Sequence, residues 1–193
     1  MKRNHILATL FLAALFTGRS HAAAITLQLD PSNGALIGQA GETVGWGFTL
    51  SNSGLGFLLV TDTSFEPTPL SAFGFYTDLL TPQITAGPNF LVIGPAPETP
   101  SLTESFNAAL QTGIGEFTLA PTAAGQVTGR LVMHYSLFSE SPNDPGFDPD
   151  LDTVLAEGRV SAPASINPEP GALVLFATAS LTLAVIRKRI HTR

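Results

Sequence analysis

Apolar and polar residues alternate along short stretches of this chain, and Gly, Pro, Asn and Asp separate those stretches at intervals of about 8–12 residues. The clearest alternation lies in residues 43–50, where every even-numbered residue is apolar and falls on one face of a strand. Further strands are predicted at 25–29, 57–61, 73–77, 90–93, 115–119, 126–138 and 154–160. This succession of short strands predicts an all-β fold, an antiparallel β-sandwich.

One short helix is predicted inside this series of strands, within residues 102–111. Ser101 and Glu104 have the spacing of a capping box ahead of Phe106. Gly113 then provides a stop signal.

Near the start of the chain an apolar run does not alternate. It follows Lys2 and Arg3 and leads into a group of small residues. A positive start, a short apolar core and small residues at a cleavage position are the pattern of a secretory signal peptide. Residues 1–24 are therefore predicted to be a signal helix that enters the Sec translocon, with cleavage by signal peptidase after Ala22 or Ala24.

A second apolar run, residues 172–186, carries no charge and ends at Arg187, Lys188 and Arg189. As a helix these residues reach about 22 Å, which is short of the roughly 30 Å of a hydrocarbon core. Gly171 and the long stems of the basic side chains can extend the span. The run has no polar face of the kind expected for a core helix. We expect a transmembrane helix over 171–186 with a membrane-stop cluster in the basic tail, 187–193.

The charges are segregated in the same way. Residues 25–166 contain fourteen carboxylates, two arginines (Arg130 and Arg159) and no lysine. Basic flanks stay on the cytoplasmic side of a membrane, so the acidic body is predicted to be exported while both basic ends remain inside. The net charge of −6 argues against a nucleic-acid partner.

Between the body and the predicted span stands the tripeptide Pro168-Glu169-Pro170. Each proline lacks a backbone N–H and disfavours helix in the preceding residue. The tripeptide is therefore expected to be extended and accessible just outside the bilayer, without stable secondary structure. A protease requires this conformation, and a stiff linker would have the same composition.

A Pro-Glu-Pro motif, an apolar span and an Arg-rich end, together with a signal peptide, resemble the PEP-CTERM sorting-signal proteins of Gram-negative bacteria. The resemblance covers residues 168–193; it assigns the sorting signal to residues 167–193 and leaves 25–166 as the exported domain. It implies recognition of Pro168, Glu169 and Pro170 by exosortase, a membrane-embedded cysteine protease. It also implies transit through the inner membrane to the cell surface or extracellular matrix, often in bacteria that make exopolysaccharide and biofilm. The family commonly has Val before the motif, where this chain has Asn167.

Residues 41–54 carry a second, shorter resemblance. They read Gly-Glu-Thr-Val-Gly-Trp-Gly-Phe-Thr-Leu-Ser-Asn-Ser-Gly, which is similar to a strand and turn of many bacterial immunoglobulin-like surface domains. The resemblance implies an immunoglobulin-like sandwich and says nothing about activity.

Catalytic signatures are absent from the sequence of the body. The chain has no cysteine, and His134, the one histidine of the body, sits within a predicted strand, away from any nucleophile-elbow motif. A structural or interaction protein without a cofactor is therefore predicted. Two alternatives stay open: a lectin-like polysaccharide-binding module, and a glycan hydrolase with two carboxylates in one cleft. Candidate carboxylates are those of Glu98, Glu104 and Glu116.

Residues 140–152 hold five carboxylates. Asp148, Asp150 and Asp152 alternate, so in an extended loop they converge on one side and, with Asp144, offer the oxygen ligands that calcium prefers. The EF-hand template does not fit, because Thr153 stands where glycine is required and Arg159 where glutamate is required. A plain solvated loop is the competing interpretation.

Overall fold

The computed structural model describes residues 25–66, 72–86, 90–97 and 101–169. Ten strands and two short helices lie in these ranges. The predicted signal helix with Ala22 and Ala24, the predicted span 171–186, Pro170 and the cluster Arg187, Lys188 and Arg189 lie outside them. The elements are β1 (Ile25–Asp30), β2 (Ala35–Gly38), β3 (Thr43–Asn52), β4 (Phe57–Glu66), β5 (Gly74–Asp78), α1 (Leu80–Ala86), β6 (Val92–Ile93), β7 (Ser101–Glu104), β8 (Gly115–Leu119), β9 (Val127–Phe138), α2 (Pro149–Asp152) and β10 (Thr153–Pro168).

The strands form two sheets of five. The first has the order β1-β3-β8-β5, with β7 also paired to β3, and the second has the order β2-β10-β9-β4-β6. The prediction of an all-β, sandwich-like fold is confirmed. The described strand pairs are antiparallel except β2 with β10, which run parallel, so a wholly antiparallel sandwich is wrong in that one pair.

The core lies between the two sheets and follows from the alternation in β3. Trp46, Phe48 and Leu50 are at most 1% exposed, as their shared face predicted. The ring of Trp46 stacks on Phe65 of the second sheet at a centroid distance of 6.1 Å, and Phe65 meets Phe117 of the first sheet at 6.1 Å. Large aromatic rings bury much area and fix the spacing of the two layers.

The helix predicted within residues 102–111 is wrong. Residues 101–104 form β7, which pairs with β3, and a turn follows in which Asn107 and Thr112 exchange backbone hydrogen bonds of 3.1 Å each. The Asn107 side chain accepts from the N–H groups of Ala109 and Leu110. Pairing with a distant strand satisfies the backbone groups that a helical first turn would leave open.

The observed helices lie elsewhere. Asp78 caps α1, since its Oδ1 accepts from the N–H of Leu80 at 2.8 Å. Neither helix in the described part of the chain has the length and apolar character that crossing a bilayer requires.

Candidate functional site

The C-terminal end of β10 is the part of the predicted sorting signal that the structure describes. Residues 165–168 pair in parallel with residues 35–38 of β2. The Ser165 N–H donates to the Gly34 carbonyl at 2.9 Å, and the Glu169 N–H donates to the Gly38 carbonyl at 2.8 Å. Pro168 is buried and Glu169 is exposed. On its other side this end of β10 pairs with β9, as far as Ile166 opposite Val127.

The expectation of an accessible motif without stable secondary structure is therefore wrong for Pro168. The strand was expected to end by 160 and the domain by 166, but β10 continues through Pro168. The sheet tolerates this proline because its register would set it opposite residue 125, before β9 begins at Val127. A missing backbone N–H costs little stability where no neighbouring strand offers a carbonyl to accept its hydrogen bond.

A buried hydrogen bond and a glycine position β2 beside β10. The indole Nε1 of Trp46 donates to the Gly34 carbonyl at 2.9 Å. Gly34 has φ +65°, and a Cβ on it would lie 2.1 Å from the Pro163 carbonyl oxygen. Only glycine fits this approach of one backbone to another. Sequence reasoning missed β2, because four residues are too short to show a period.

Three further hydrogen bonds close this end of the sandwich. Glu42 Oε2 accepts from the Gln39 N–H at 2.7 Å. The Gly41 N–H donates to the Leu119 carbonyl at 3.2 Å, and the Leu119 N–H donates to the Glu42 carbonyl at 2.9 Å. The turn after β2 is thus tied to the first sheet, which supports the strand that holds β10.

In the acidic segment, residues 140–152, the predicted extended conformation is wrong. Residues 149–152 form the helical turn α2, with Asp148 as its N-cap. Asp148 Oδ1 accepts from the Asp150 N–H at 3.0 Å, while Asp152 accepts from the Asp148 N–H at 2.9 Å and from Ser139 Oγ at 3.0 Å. Two of the proposed ligand carboxylates thus bind their own segment.

Of the other two proposed ligands, Asp150 lies in α2, and Asp144 sits in a separate turn, where its N–H donates to the Ser141 carbonyl at 2.9 Å. Across the described ranges, three or more His, Cys, Asp or Glu residues nowhere come together as a metal site. Calcium binding by Asp144, Asp148, Asp150 and Asp152 stays a prediction from composition.

The structure separates the two described candidate carboxylates. Glu104 lies opposite Phe48, whose side chain faces the core, and Glu116 lies opposite Gly45 on the alternate face of the sheet. Burial raises the pKa of the Glu104 carboxyl, while bonds from the Gly113 N–H and the Gln83 side chain lower it. Because these two carboxylates point to opposite faces, they do not form a hydrolytic pair. Glu98 lies outside the described residues.

His134 lies within β9, as predicted, and it is half-buried. Its register partners are Asp62 of β4 and Arg159 of β10. This places it between two strands of one sheet, with charged neighbours on both sides.

No protein-family model and no curated protein matches the chain. Among solved structures, a chain of a novel type I cohesin–dockerin complex from Clostridium thermocellum is similar over 75% of this chain and 94% of its own, at 11% sequence identity and a TM-score of 0.23. The strand pairing described above defines the class of this protein as all-β and sandwich-like.

Proposed function

We propose that this protein is a non-enzymatic component of the envelope or extracellular matrix, exported by its signal peptide and sorted by exosortase through its C-terminal signal. The observation that carries the proposal is the order of three features in the sequence: Pro168-Glu169-Pro170, an uncharged apolar run and a basic end. The last strand described, β10, ends at Pro168, the first residue of this motif.

Charge supports the proposed orientation. The body, residues 25–166, has fourteen carboxylates and two arginines, whereas basic residues flank both apolar runs. Positive flanks retained in the cytoplasm place the body outside the inner membrane. The protein is then anchored there in transit and released or transferred to the surface by the protease.

We further propose an immunoglobulin-like arrangement of the sandwich. Two sheets of five strands support it. So does the segment 41–54, whose middle is β3 and whose end is a turn bonded through Asn52, which accepts from the Gly54 N–H at 2.9 Å and donates to the Gly56 carbonyl at 2.8 Å.

A structural or interaction role is the better supported role for the body. Glu104 and Glu116 point to opposite faces of the sheet, and His134 has charged register partners within its own sheet. In this proposal the one reaction is proteolysis of the chain itself, and exopolysaccharide is its candidate neighbour in the matrix.

Intact mass of the protein from its native host tests the proposal. We expect the mature form to lack residues 1–22 or 1–24 and the stretch after about residue 170, and a strain without exosortase to retain the C-terminal stretch. Glu169→Ala alters an exposed side chain of the motif and should block the C-terminal step. Asn167→Val, which introduces the residue common in the family, should leave it intact. A surface-exposed mature form with the complete C-terminus would refute the proposal.

A further inference from the structure

The motif that marks this chain for processing starts inside the folded sandwich. We infer that folding controls the processing step: the protease acts on this chain only after the end of β10 has separated from β2. This inference rests on the proposed function and deepens it, because it names what regulates the same site.

The first support is the state of the motif in the folded domain. The Pro168 side chain is buried, and the backbone N–H of Glu169 is engaged by the Gly38 carbonyl at 2.8 Å. Enzymes and domains that bind extended peptides use the peptide's own main-chain groups together with pockets for its side chains. Two of the three motif residues are therefore already occupied by the sandwich.

The second support is the shortness of the chain that follows. Residues 170 and 171 alone separate Glu169 from the apolar run that begins at 172. Two extended residues reach at most about 7 Å. The segment between the sheet and the membrane is therefore too short to reach a membrane-embedded active site by itself. To bind the motif, the enzyme must withdraw residues 168 and 169 from the sheet.

The third support is that this opening is local. β2 is a four-residue strand at the edge of its sheet, so detaching residues 165–169 from it leaves the other nine strands of the described ranges paired. Local openings of this kind cost less than global unfolding. Where opening and closing are faster than cleavage, the rate of proteolysis follows the population of the open form.

A disulfide across the two strands tests the inference in the full-length chain. Ile37 and Asn167 are register partners and are both exposed, and the chain has no cysteine of its own. Neighbouring strands bring paired Cα atoms within the range that a disulfide spans. The double variant I37C/N167C should therefore lock the end of β10 to β2 in the oxidising periplasm.

The matched control is T49C/T103C, which joins β3 to β7 at a register pair in the sheet that contains neither β2 nor β10. C-terminal shortening is followed by pulse-chase and intact mass in the exosortase-containing host, and thiol labelling on the same samples gives the oxidised fraction. We expect the oxidised I37C/N167C chain to be shortened at least about tenfold more slowly than its reduced form, since the lock removes the open population. The control disulfide and the wild type in the same reductant should show no change.

A second variant acts in the opposite direction and does not depend on disulfide formation. Leu36 is the buried anchor of β2, at 7% exposure. Truncation to alanine weakens the packing of a strand that must open, so Leu36→Ala should be shortened about threefold to tenfold faster.

The outcomes separate the two proposals. Equal rates for the locked, reduced and Leu36→Ala forms, with shortening that still requires exosortase, would overturn the inference and leave the proposed function standing. Absence of shortening in the wild type would overturn both. Slower shortening of the locked form alone, restored by reductant, supports both.

Discussion

The two halves of β10 differ in side-chain burial and in the number of strands that pair with them. From Ala162 to Pro168 alternate side chains are buried, and the strand has β9 on one side and β2 beside its last four residues. From Thr153 to Glu157 every side chain is exposed, β9 is the only partner described, and the register with β9 shifts twice. Stability therefore differs along one continuous strand. The well-packed half carries the start of the sorting motif, and the exposed half continues from the acidic segment.

Truncating one side chain in each half of β10 should give the largest difference in the free energy of unfolding. Ile166→Ala removes a fully buried side chain and should lower the free energy of unfolding by about 3 kcal/mol, from lost burial and a residual cavity. Val154→Ala, at a position 65% exposed, should change it by less than about 0.5 kcal/mol. Urea unfolding of both variants measures the difference. Equal losses would contradict the contrast between the halves.

The close approach of the backbone at Gly34 gives the next largest effect. Gly34→Ala sets a Cβ 2.1 Å from the Pro163 carbonyl oxygen at a positive φ, so the strands must move apart, at a cost of about 2 kcal/mol. Gly41→Ala is the matched control, because Gly41 also has a positive φ but a Cβ there meets nothing within 4 Å. Its cost should be about 1 kcal/mol, from backbone conformation alone. Chemical denaturation measures the difference in unfolding free energy between the two variants. Equal losses for Gly41→Ala and Gly34→Ala would contradict the close contact between the Gly34 and Pro163 backbones.

Trp46→Phe should weaken the pairing of β2 with the well-packed half of β10. The substitution removes one of the two hydrogen bonds that the Gly34 carbonyl accepts, the 2.9 Å bond from the indole Nε1, while an aromatic ring remains in the core. We expect a loss of about 1.5 kcal/mol. Thermal unfolding measures the loss, and amide exchange of the Ser165 N–H, which also donates to Gly34, should quicken. An unchanged Ser165 amide would show that Trp46 does not position β2.

The smallest effect is expected where the acidic segment meets the exposed half. Asp148→Ala removes the N-cap of α2 and should lower stability by about 0.5 kcal/mol, because the turn is exposed and short. Asp148→Asn keeps an acceptor oxygen and serves as the control. The melting temperature in calcium-free buffer compares them. A loss above about 2 kcal/mol would mean that this segment supports the sandwich more than its exposure suggests.

The local pattern of apolar and polar residues was sufficient to predict those strands whose burial does not depend on identifying their partner strands. The even-numbered face of β3 was predicted because alternation along one strand reports its own burial, and β9 was predicted from a long run of strand-forming residues. β2 was missed because the evidence for it lies in β10, about 130 residues along the chain, at Ser165 opposite Ala35.

Two of the errors of local reasoning have the same origin. Ser101 and Glu104 have helix-capping spacing, yet β3 offers these residues a paired edge. The prolines of the sorting motif indicate a free extended segment, yet β2 engages the Glu169 N–H and the fold buries Pro168. A distant strand overrides a local preference when it satisfies more of the backbone.

Amide hydrogen exchange of the full-length protein in detergent micelles tests most directly whether the sorting motif begins inside the folded sandwich. The Glu169 N–H donates to the Gly38 carbonyl. Alternate residues of a strand direct their N–H groups to the same side, so the Arg159 N–H lies on the same edge of β10 as the Ser165 N–H. β2 pairs with residues 165–168 and does not reach Arg159. We predict that the Glu169 amide exchanges about a hundredfold more slowly than the Arg159 amide. Equal and rapid exchange of the two amides would contradict the account.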